Sequence, residues 1–375
     1  MNKKIQVLRS KFKKYNIDGY VIPKNDEYFT EYSKINRLKI ISNFTGSAGV
    51  AVILKNTNYL FTDGRYTIQS QIESGKEFKI IDYEKIINCN LFKNLILGID
   101  PKLFTYNQIN KFFTKRNKIK FINNNLVDEI KRDKSSKIYP FFSLNKDIVG
   151  QSHNSKINKI SKYLKKNKSD YLFVSAPENV AWILNIRGQD VPNSPIPNSR
   201  LIISKTKKIL ALGGKNFIID NKSCSVFYEN IIKSKFKIIK REDPTYLLKA
   251  IKNNIEINNM IKSHVIDGVA LTKFIYWIKN VNKKKITEVD AQIKLEKFRK
   301  QNKNYLYPSF ETIAGSGKNG AIVHYRAKKE SCRTIKKNDI FLCDSGGQYK
   351  YGTTDVTRTI CFTKPKQNIK NIYNQ

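Results

Sequence analysis

Short apolar runs alternate with helical stretches in the first third of this 375-residue chain. The N-terminal segment predicts an amphipathic helix through apolar side chains at helical spacing, namely Ile5, Leu8, Phe12 and Tyr15. Five further apolar segments predict strands: DGYVIP (18–23), AVIL (51–54), NYLFTDGRY (58–66), FKIIDY (78–83) and LILGID (95–100). Alternating strands and helices are typical of an α/β domain, which we assign to residues 1–126.

The same order of elements recurs further along the chain. Residues 127–142 are charged, then rich in serine and lysine, and carry Pro140, which together predict a linker. After a helical stretch, residues 170–175 repeat the pattern of an aspartate followed by a strand that residues 18–23 introduce. This repetition predicts a second α/β domain, related to the first, over residues 127–245.

The pattern changes to a third type after Pro244. A long helix is predicted by apolar residues near helical spacing: Ile257, Ile261, Val265, Leu271, Ile275 and Ile278. Thr287 is the expected N-cap of the next helix, and beyond Tyr307 glycines separate short β-branched runs. A third domain, of α+β type, is therefore assigned to residues 246–375. An apolar stripe after Pro365 predicts a helix that continues past Gln375, so we expect a truncated sequence.

Composition excludes several classes of protein. An apolar fraction of 40% with 11% aromatic residues excludes a disordered chain. No apolar run approaches the roughly 18 residues of a membrane-spanning helix, and the N-terminus lacks the features of a signal peptide. The five cysteines are scattered and odd in number, which fits a reducing compartment without disulfides. We therefore expect a cytoplasmic protein that does not engage a membrane.

The net charge of +39, from 70 basic and 31 acidic residues, raises the possibility of a nucleic-acid partner. Lysine supplies most of this charge and is spread along the whole chain. Sequence-specific readout favours arginine forks, which are scarce here. We expect non-specific association with polyanions and no specific nucleic-acid partner.

Two aspartates flank a glycine-rich turn near the end of the chain. A turn centred between Tyr349 and Lys350 would make a hairpin in which Asp344 faces Asp355. Directly opposed residues have Cβ atoms ~4.5–5.5 Å apart, so two ionised carboxylates there require a proton or a cation between them. Carboxylate oxygens suit Mn²⁺, Mg²⁺ or Zn²⁺. The spacing equally fits a turn aspartate and an edge charge.

A second glycine-rich segment precedes this hairpin. Gly315, Gly317 and Gly320 match the dinucleotide-binding pattern, but they lead into the strand-like segment Ala-Ile-Val-His-Tyr instead of a helix. We therefore reject a nucleotide site and expect a turn that presents His324 on a strand. The other two histidines, His153 and His264, have no such context and are interpreted as structural or surface residues.

Six segments carry a resemblance to a known family: FTGSAGVAVI, FTDGRYTIQ, ENVAWILNIRGQDVPNSP, DPTYLLKAIKNNIEI, TIAGSGKNGAIVHYRA and LCDSGGQYKYGTTDVTRTI. In this order they resemble the N-terminal three-fifths of the large, three-domain Xaa-Pro aminopeptidases. These are metallopeptidases with the pita-bread fold, like prolidase, creatinase and methionine aminopeptidase. The resemblance implies an α/β and α+β multidomain chain: two creatinase-like domains followed by an incomplete pita-bread catalytic domain.

The resemblance also implies roles for individual residues. The family holds two divalent metal ions, commonly Mn²⁺; Asp344 would bind one ion and Asp355 would bridge both. The ions would generate the hydroxide that attacks the peptide bond. His324 would line the substrate site and stabilise the tetrahedral intermediate. Arg65, which closes a strand and is also a natural ion-pair partner, would reach toward the bound peptide.

The family's remaining ligands, one histidine and two glutamates, together with a further substrate histidine, would be expected beyond Gln375. We therefore expect a peptidase that removes the residue preceding a proline at position two, represented here by a truncated and inactive chain. A homodimer is expected for the full-length form. The alternative is a non-catalytic binding protein on the same scaffold.

Overall fold

A computed structural model describes residues 3–30, 35–87, 89–113, 117–131, 139–206, 216–282 and 286–375. These residues belong to two compact units, 1–252 and 253–375. Each unit has its own sheets and its own hydrophobic core. The domain boundaries assigned at residues 126 and 245 remain a prediction.

The first unit begins with a six-stranded sheet. Its strands are β1 (Gly19–Pro23), β2 (Val50–Leu54), β3 (Asn58–Thr62), β4 (Lys79–Asp82), β5 (Ile96–Ile99) and β6 (Lys118–Phe121). The accompanying helices are α1 (Lys3–Ser10), α2 (Phe12–Tyr15), α3 (Arg37–Ser42), α4 (Thr67–Ser74) and α5 (Tyr106–Phe112). The spatial order is β4-β3-β2-β1-β5-β6, and of these six strands only β2 runs antiparallel to its neighbours. All five strands predicted in this region are present.

The central position of β1 follows from its sequence. All five of its residues are buried, as expected for a strand covered on both faces of a sheet. Alternation sends Tyr20 and Ile22 to the core shared with helix α1, and Val21 to the core on the opposite face. The predicted N-terminal helix is confirmed as α1 and α2, whose Ile5 and Leu8 are fully buried.

A smaller sheet follows within the same unit. Strand β7 (Phe142–Ser143) pairs with β9 (Ile186–Arg187), and the main sheet contains β8 (Tyr171–Val174), β10 (Leu201–Ser204), β11 (Asn216–Ile219) and β12 (Lys237–Lys240) in the order β10-β8-β11-β12. The helices are α6 (Lys146–Val149), α7 (His153–Lys166), α8 (Pro177–Leu184), α9 (Val226–Lys233) and α10 (Thr245–Ala250). The strand expected in residues 170–175 is confirmed as β8.

The segment expected to be a linker begins inside a core. Val127 is fully buried and packs with Leu126 in the core beside β1. Ile130 packs against the same cluster. Residues 132–138, the serine- and lysine-rich part of the expected linker, lie outside the described residues.

The second unit combines long helices with short sheets. Its elements are α11 (Asn254–Asn280), α12 (Glu288–Arg299), β13 (Tyr305–Pro308), β14 (Ile313–Ser316), β15 (Ile340–Ser345), β16 (Gly347–Tyr349), β17 (Val356–Cys361) and α13 (Gln367–Tyr373). Strands β14-β15-β17 form one sheet, and β13 pairs with β16. The predicted cap of α12 is confirmed, since the Asp290 amide donates to Thr287 Oγ1 at 3.2 Å and the Thr287 amide donates to the Asp290 carboxylate at 2.9 Å.

Helix α11 buries a different face from the one that its apolar residues suggest. Leu271 and Ile278 pack in the core against α12, as expected. Ile261 and Val265 are instead exposed, while Asp267 is buried at the same level of the helix. The core-facing side of α11 therefore includes a charged residue. Asp267 can be buried there because it pairs with Arg299 inside the unit.

Candidate functional site

The two candidate aspartates lie on the hairpin made by β15, β16 and β17. The sequence predicted a turn centred between Tyr349 and Lys350, and this is wrong by one position. The amide of Tyr349 donates to the carbonyl of Gly352 at 2.8 Å, so the turn is centred between Lys350 and Tyr351. Tyr349 stays in the strand because its ring is buried and its hydroxyl donates to Asp267 at 2.7 Å.

The shifted turn changes which residues oppose Asp344. Its partner across the ladder is Thr357, whose hydroxyl donates to Asp344 Oδ1 at 2.8 Å. Asp355 comes two residues before Thr357, so it is the diagonal neighbour of Asp344. The direct opposition of Asp344 and Asp355 is therefore wrong. Diagonal neighbours lie ~7–8 Å apart, with their Cβ atoms somewhat closer, which leaves more room for a cation than direct opposition would.

The two carboxyl groups nevertheless influence each other. Asp355 is exposed, but neighbouring atoms partly desolvate its carboxyl group, and this desolvation, followed by the charge of Asp344, raises the pKa of Asp355. A raised pKa means that the ionised carboxylate is disfavoured without a compensating cation. Two oxygen ligands of this kind fit a hard or borderline divalent ion such as Mn²⁺. Within the described ranges, no group of three or more His, Cys, Asp or Glu side chains is placed to hold a metal.

A buried ion pair supports the strand that carries Asp344. Arg299 at the end of α12 donates to Asp267 of α11 through Nε at 2.7 Å and through Nη2 at 3.1 Å. The same Nη2 donates to Ser345 Oγ at 3.1 Å, one residue after Asp344. Burial, and then the hydrogen bond to Asp267, raise the pKa of Tyr349. This network fixes the end of β15 to two helices.

Sequence reasoning did not identify Asp267 or Arg299, although the pattern held a signal for both. Asp267 precedes Leu271 by four residues and therefore lies on the buried face of α11. Arg299 follows Leu295 by four residues and lies on the buried face of α12 in the same way. Charged residues of opposite sign at core positions of neighbouring helices predict a buried pair.

His324 lies in a turn and not on a strand. Residues Gly317–Ala321 form a 3-10 helix, and the chain then turns through Val323 and His324. His324 is half-buried and adopts a left-handed φ of 58°. The prediction of a strand is wrong because this segment is held by hydrogen bonds to the buried side chain of Glu288, on α12, instead of by a ladder.

Arg65 belongs to the first unit, in a short 3-10 turn after β3. Its guanidinium is bidentate with the carboxylate of Asp63, at 2.9 Å and 2.8 Å, and lies over the ring of Tyr66. Arg65 is exposed and forms the ion pair that its position suggested. Its contact with a bound peptide remains a prediction.

The remaining chemistry-bearing residues have ordinary environments. His153 is exposed at the start of α7, and the exposed ring of His264 bonds the carbonyl of Met260, as expected for surface residues. All five cysteines are free, and burial raises the pKa of Cys343 to about 12, so this thiol is not poised for reaction. None of the described helices has the length and apolarity that crossing a membrane requires.

Comparison with known proteins identifies the family. Residues 258–375 match the model of metallopeptidase family M24, and residues 4–128 and 131–212 match models of the creatinase/prolidase N-terminal domain. The expected architecture, two creatinase-like α/β domains followed by a pita-bread domain, is thereby confirmed.

Individual relatives match all or nearly all of the chain. Xaa-Pro aminopeptidase 1 of Dictyostelium discoideum is 32% identical over 438 residues, covering 100% of this chain and 69% of that protein. Xaa-Pro aminopeptidase ApepP of Drosophila melanogaster is 32% identical, covering 96% of this chain and 67% of that protein.

A solved structure shows the same fold. The X-prolyl aminopeptidase of Caenorhabditis elegans, described as a cytosolic enzyme with a di-nuclear active site, superposes with a TM-score of 0.88 at 24% identity. It covers 98% of this chain, which spans 70% of that protein. From the family models and the identity to its relatives, the chain belongs to the Xaa-Pro aminopeptidases, a family of metalloaminopeptidases.

Proposed function

We propose that Asp344 and Asp355 hold divalent metal ions in a reaction that removes the N-terminal residue from peptides with proline at the second position. The proposal rests on the position of the two carboxylates as diagonal neighbours on the hairpin, where partial desolvation, followed by the charge of Asp344, raises the pKa of Asp355. The di-nuclear site named for the C. elegans enzyme supports two ions, and we propose Mn²⁺. When bound, the ions supply Lewis acidity and a nucleophilic hydroxide.

The residues of this chain prepare that site in distinct ways. Asp344 and Asp355 provide anionic oxygens, and the Thr357 hydroxyl orients Asp344 through Oδ1. His324 lines the substrate site, where its ring N–H donates to the oxygen that becomes negatively charged. Arg65 contacts the peptide as an alternative to its ion pair with Asp63.

The 375-residue polypeptide by itself should hydrolyse such peptides very slowly or not at all. Two carboxylates bind a divalent ion only weakly, and the described residues present no larger group of candidate ligands. We further propose that the protein works in the cytosol, as the C. elegans enzyme is described to do, and that it acts as a homodimer. Its association with polyanions stays non-specific.

The experiment compares three proteins in the presence of Mn²⁺: the 375-residue polypeptide, the Dictyostelium relative, and a chimera in which the C-terminal part of that relative follows Gln375. Arg-Pro-Pro is the substrate and Arg-Ala-Pro is the matched control. We expect the relative and the chimera to release arginine from Arg-Pro-Pro alone, and the polypeptide to release none. Hydrolysis by the polypeptide at the rate of the chimera would contradict the weak metal site.

A folded chimera with no activity beside an active relative would contradict the catalytic proposal. It would favour a non-catalytic binding protein on the same scaffold. Folding of the chimera is established by its far-UV circular dichroism spectrum and by a sharp thermal unfolding transition of its metallopeptidase domain.

A further inference from the structure

One buried carboxylate organises the segment that carries His324. Glu288, the first residue of α12, is fully buried. Its oxygens accept hydrogen bonds from the amides of Ser316 (2.7 Å) and Arg333 (2.9 Å), from Asn319 Nδ2 (3.1 Å) and from the Tyr325 hydroxyl (2.8 Å). These four donors span residues 316–333: Ser316 ends strand β14, and residues 317–333 contain no strand.

The partners of Glu288 are neutral groups. Across the described parts of the chain, Glu288 takes part in no ion pair; the side chain of Arg333 lies 3.7 Å from Asp339 instead. Burial of such a carboxylate is stable only when all of its donors are in place, because each missing hydrogen bond leaves part of its desolvation free energy uncompensated. The loop and the carboxylate therefore hold each other in one arrangement.

Capping of helix α12 does not account for this side chain. Thr287 and Asp290 form a complete capping box at the start of the helix. The carboxylate of Glu288 is not part of that capping box. It accepts hydrogen bonds from groups that lie 28 to 45 residues further along the chain. Its contacts belong to the loop and not to the helix end.

Tyr325 links the Glu288 carboxylate to His324, the residue directly before it in the sequence. The Tyr325 hydroxyl donates to Glu288 and accepts from Asn319 Nδ2 at 2.8 Å. Burial, and then the hydrogen bond to Glu288, raise the pKa of Tyr325, so the phenol remains a donor at neutral pH. The residue before it, His324, has a left-handed backbone, which a non-glycine residue keeps only when its surroundings hold it.

We propose that Glu288, acting through Tyr325, is the positioning residue that sets the orientation of His324 toward the substrate. The proposal rests on the role of His324 given under the proposed function. Glu288 and Tyr325 act through His324 and do not touch the reacting atoms.

The test uses Tyr325→Phe, which removes one hydroxyl and keeps the ring that the fold needs. The chain has only three histidines, so nuclear magnetic resonance of the 375-residue polypeptide with labelled histidine gives three ring signals. His324→Gln identifies the signal of His324. Tyr276→Phe is the matched control, because Tyr276 is 73% exposed on α11.

In Tyr325→Phe we expect the His324 ring signal to shift and broaden, while the signals of His153 and His264 stay in place. Tyr276→Phe should leave all three unchanged. Glu288→Gln, which keeps the side-chain volume but loses one acceptor oxygen, should move the His324 signal in the same way. An unchanged His324 signal in Tyr325→Phe, or an equal disturbance of all three histidines, would overturn the proposal.

Kinetics of the chimera provide the second readout. Misplacing a catalytic group by about 1 Å costs on the order of 100-fold, so Tyr325→Phe should lower kcat by about 10- to 100-fold with little change in KM. A change in KM with kcat unchanged would overturn the positioning role. If His324→Gln leaves activity intact, the catalytic role of His324 fails, whereas the resonance experiment still decides whether Tyr325 holds His324.

Discussion

Asp355→Asn should reduce hydrolysis of Arg-Pro-Pro by the metal-loaded chimera by a factor on the order of 10³ or more, as expected when a member of a catalytic unit is removed. The amide keeps the shape of the side chain but loses the negative charge that a divalent cation requires of its ligand. The measurement is kcat/KM with Mn²⁺ in excess.

The control for this loss is Glu330→Gln. Glu330 is an exposed carboxylate of the same unit, and the same chemical change there should leave kcat/KM within about twofold of the parent, as for surface substitutions elsewhere. Asp344→Asn should behave like Asp355→Asn. If Asp355→Asn retained activity close to that of Glu330→Gln, the hairpin would not be the metal site.

Arg299→Met should destabilise the second unit by about 3–5 kcal/mol, the usual result of breaking a buried ion pair by removing one partner. The substitution leaves the Asp267 carboxylate buried at 3% exposure, with the Tyr349 hydroxyl as a neutral donor. It also removes the donor to Ser345 Oγ beside Asp344. We therefore expect weaker metal binding together with the lower stability.

Urea unfolding of the 375-residue polypeptide measures this change. Trp277 packs against the core of the second unit and Trp182 against a core of the first, so a Trp182→Phe background makes fluorescence report on the second unit alone. Lys300→Met is the matched control: Lys300 is 64% exposed and pairs with Glu296, four residues earlier, so its loss should cost below about 1 kcal/mol. An equally small cost for Arg299→Met would show that the buried pair does not fix β15.

Much of the fold follows from local pattern. Alternating apolar runs predict the strands of the first sheet, and Thr287 predicts the start of α12 through its own side chain. These features depend on residues within a few positions of each other, which is why the sequence displays them directly. The family segments add the order of domains.

The details of the site depend on contacts between distant residues. The hairpin turns after Lys350 because Asp267, 82 residues earlier, binds the Tyr349 hydroxyl and keeps Tyr349 in the strand. His324 leaves the predicted strand because Glu288 gathers donors from residues 316–333. In both cases a buried carboxylate on a helix overrides the local preference of a loop. The residues of the hairpin turn and of the loop do not by themselves indicate these distant partners.

The most direct test of the metal site is to locate the ion. Crystals of the 375-residue polypeptide are soaked in Mn²⁺, and anomalous difference maps are calculated from data collected above the manganese absorption edge. We expect an anomalous peak at the carboxylates of Asp344 and Asp355 that is absent in Asp355→Asn and retained in Glu330→Gln. A peak elsewhere in the chain, with none at this pair at saturating Mn²⁺, would contradict the proposed metal site.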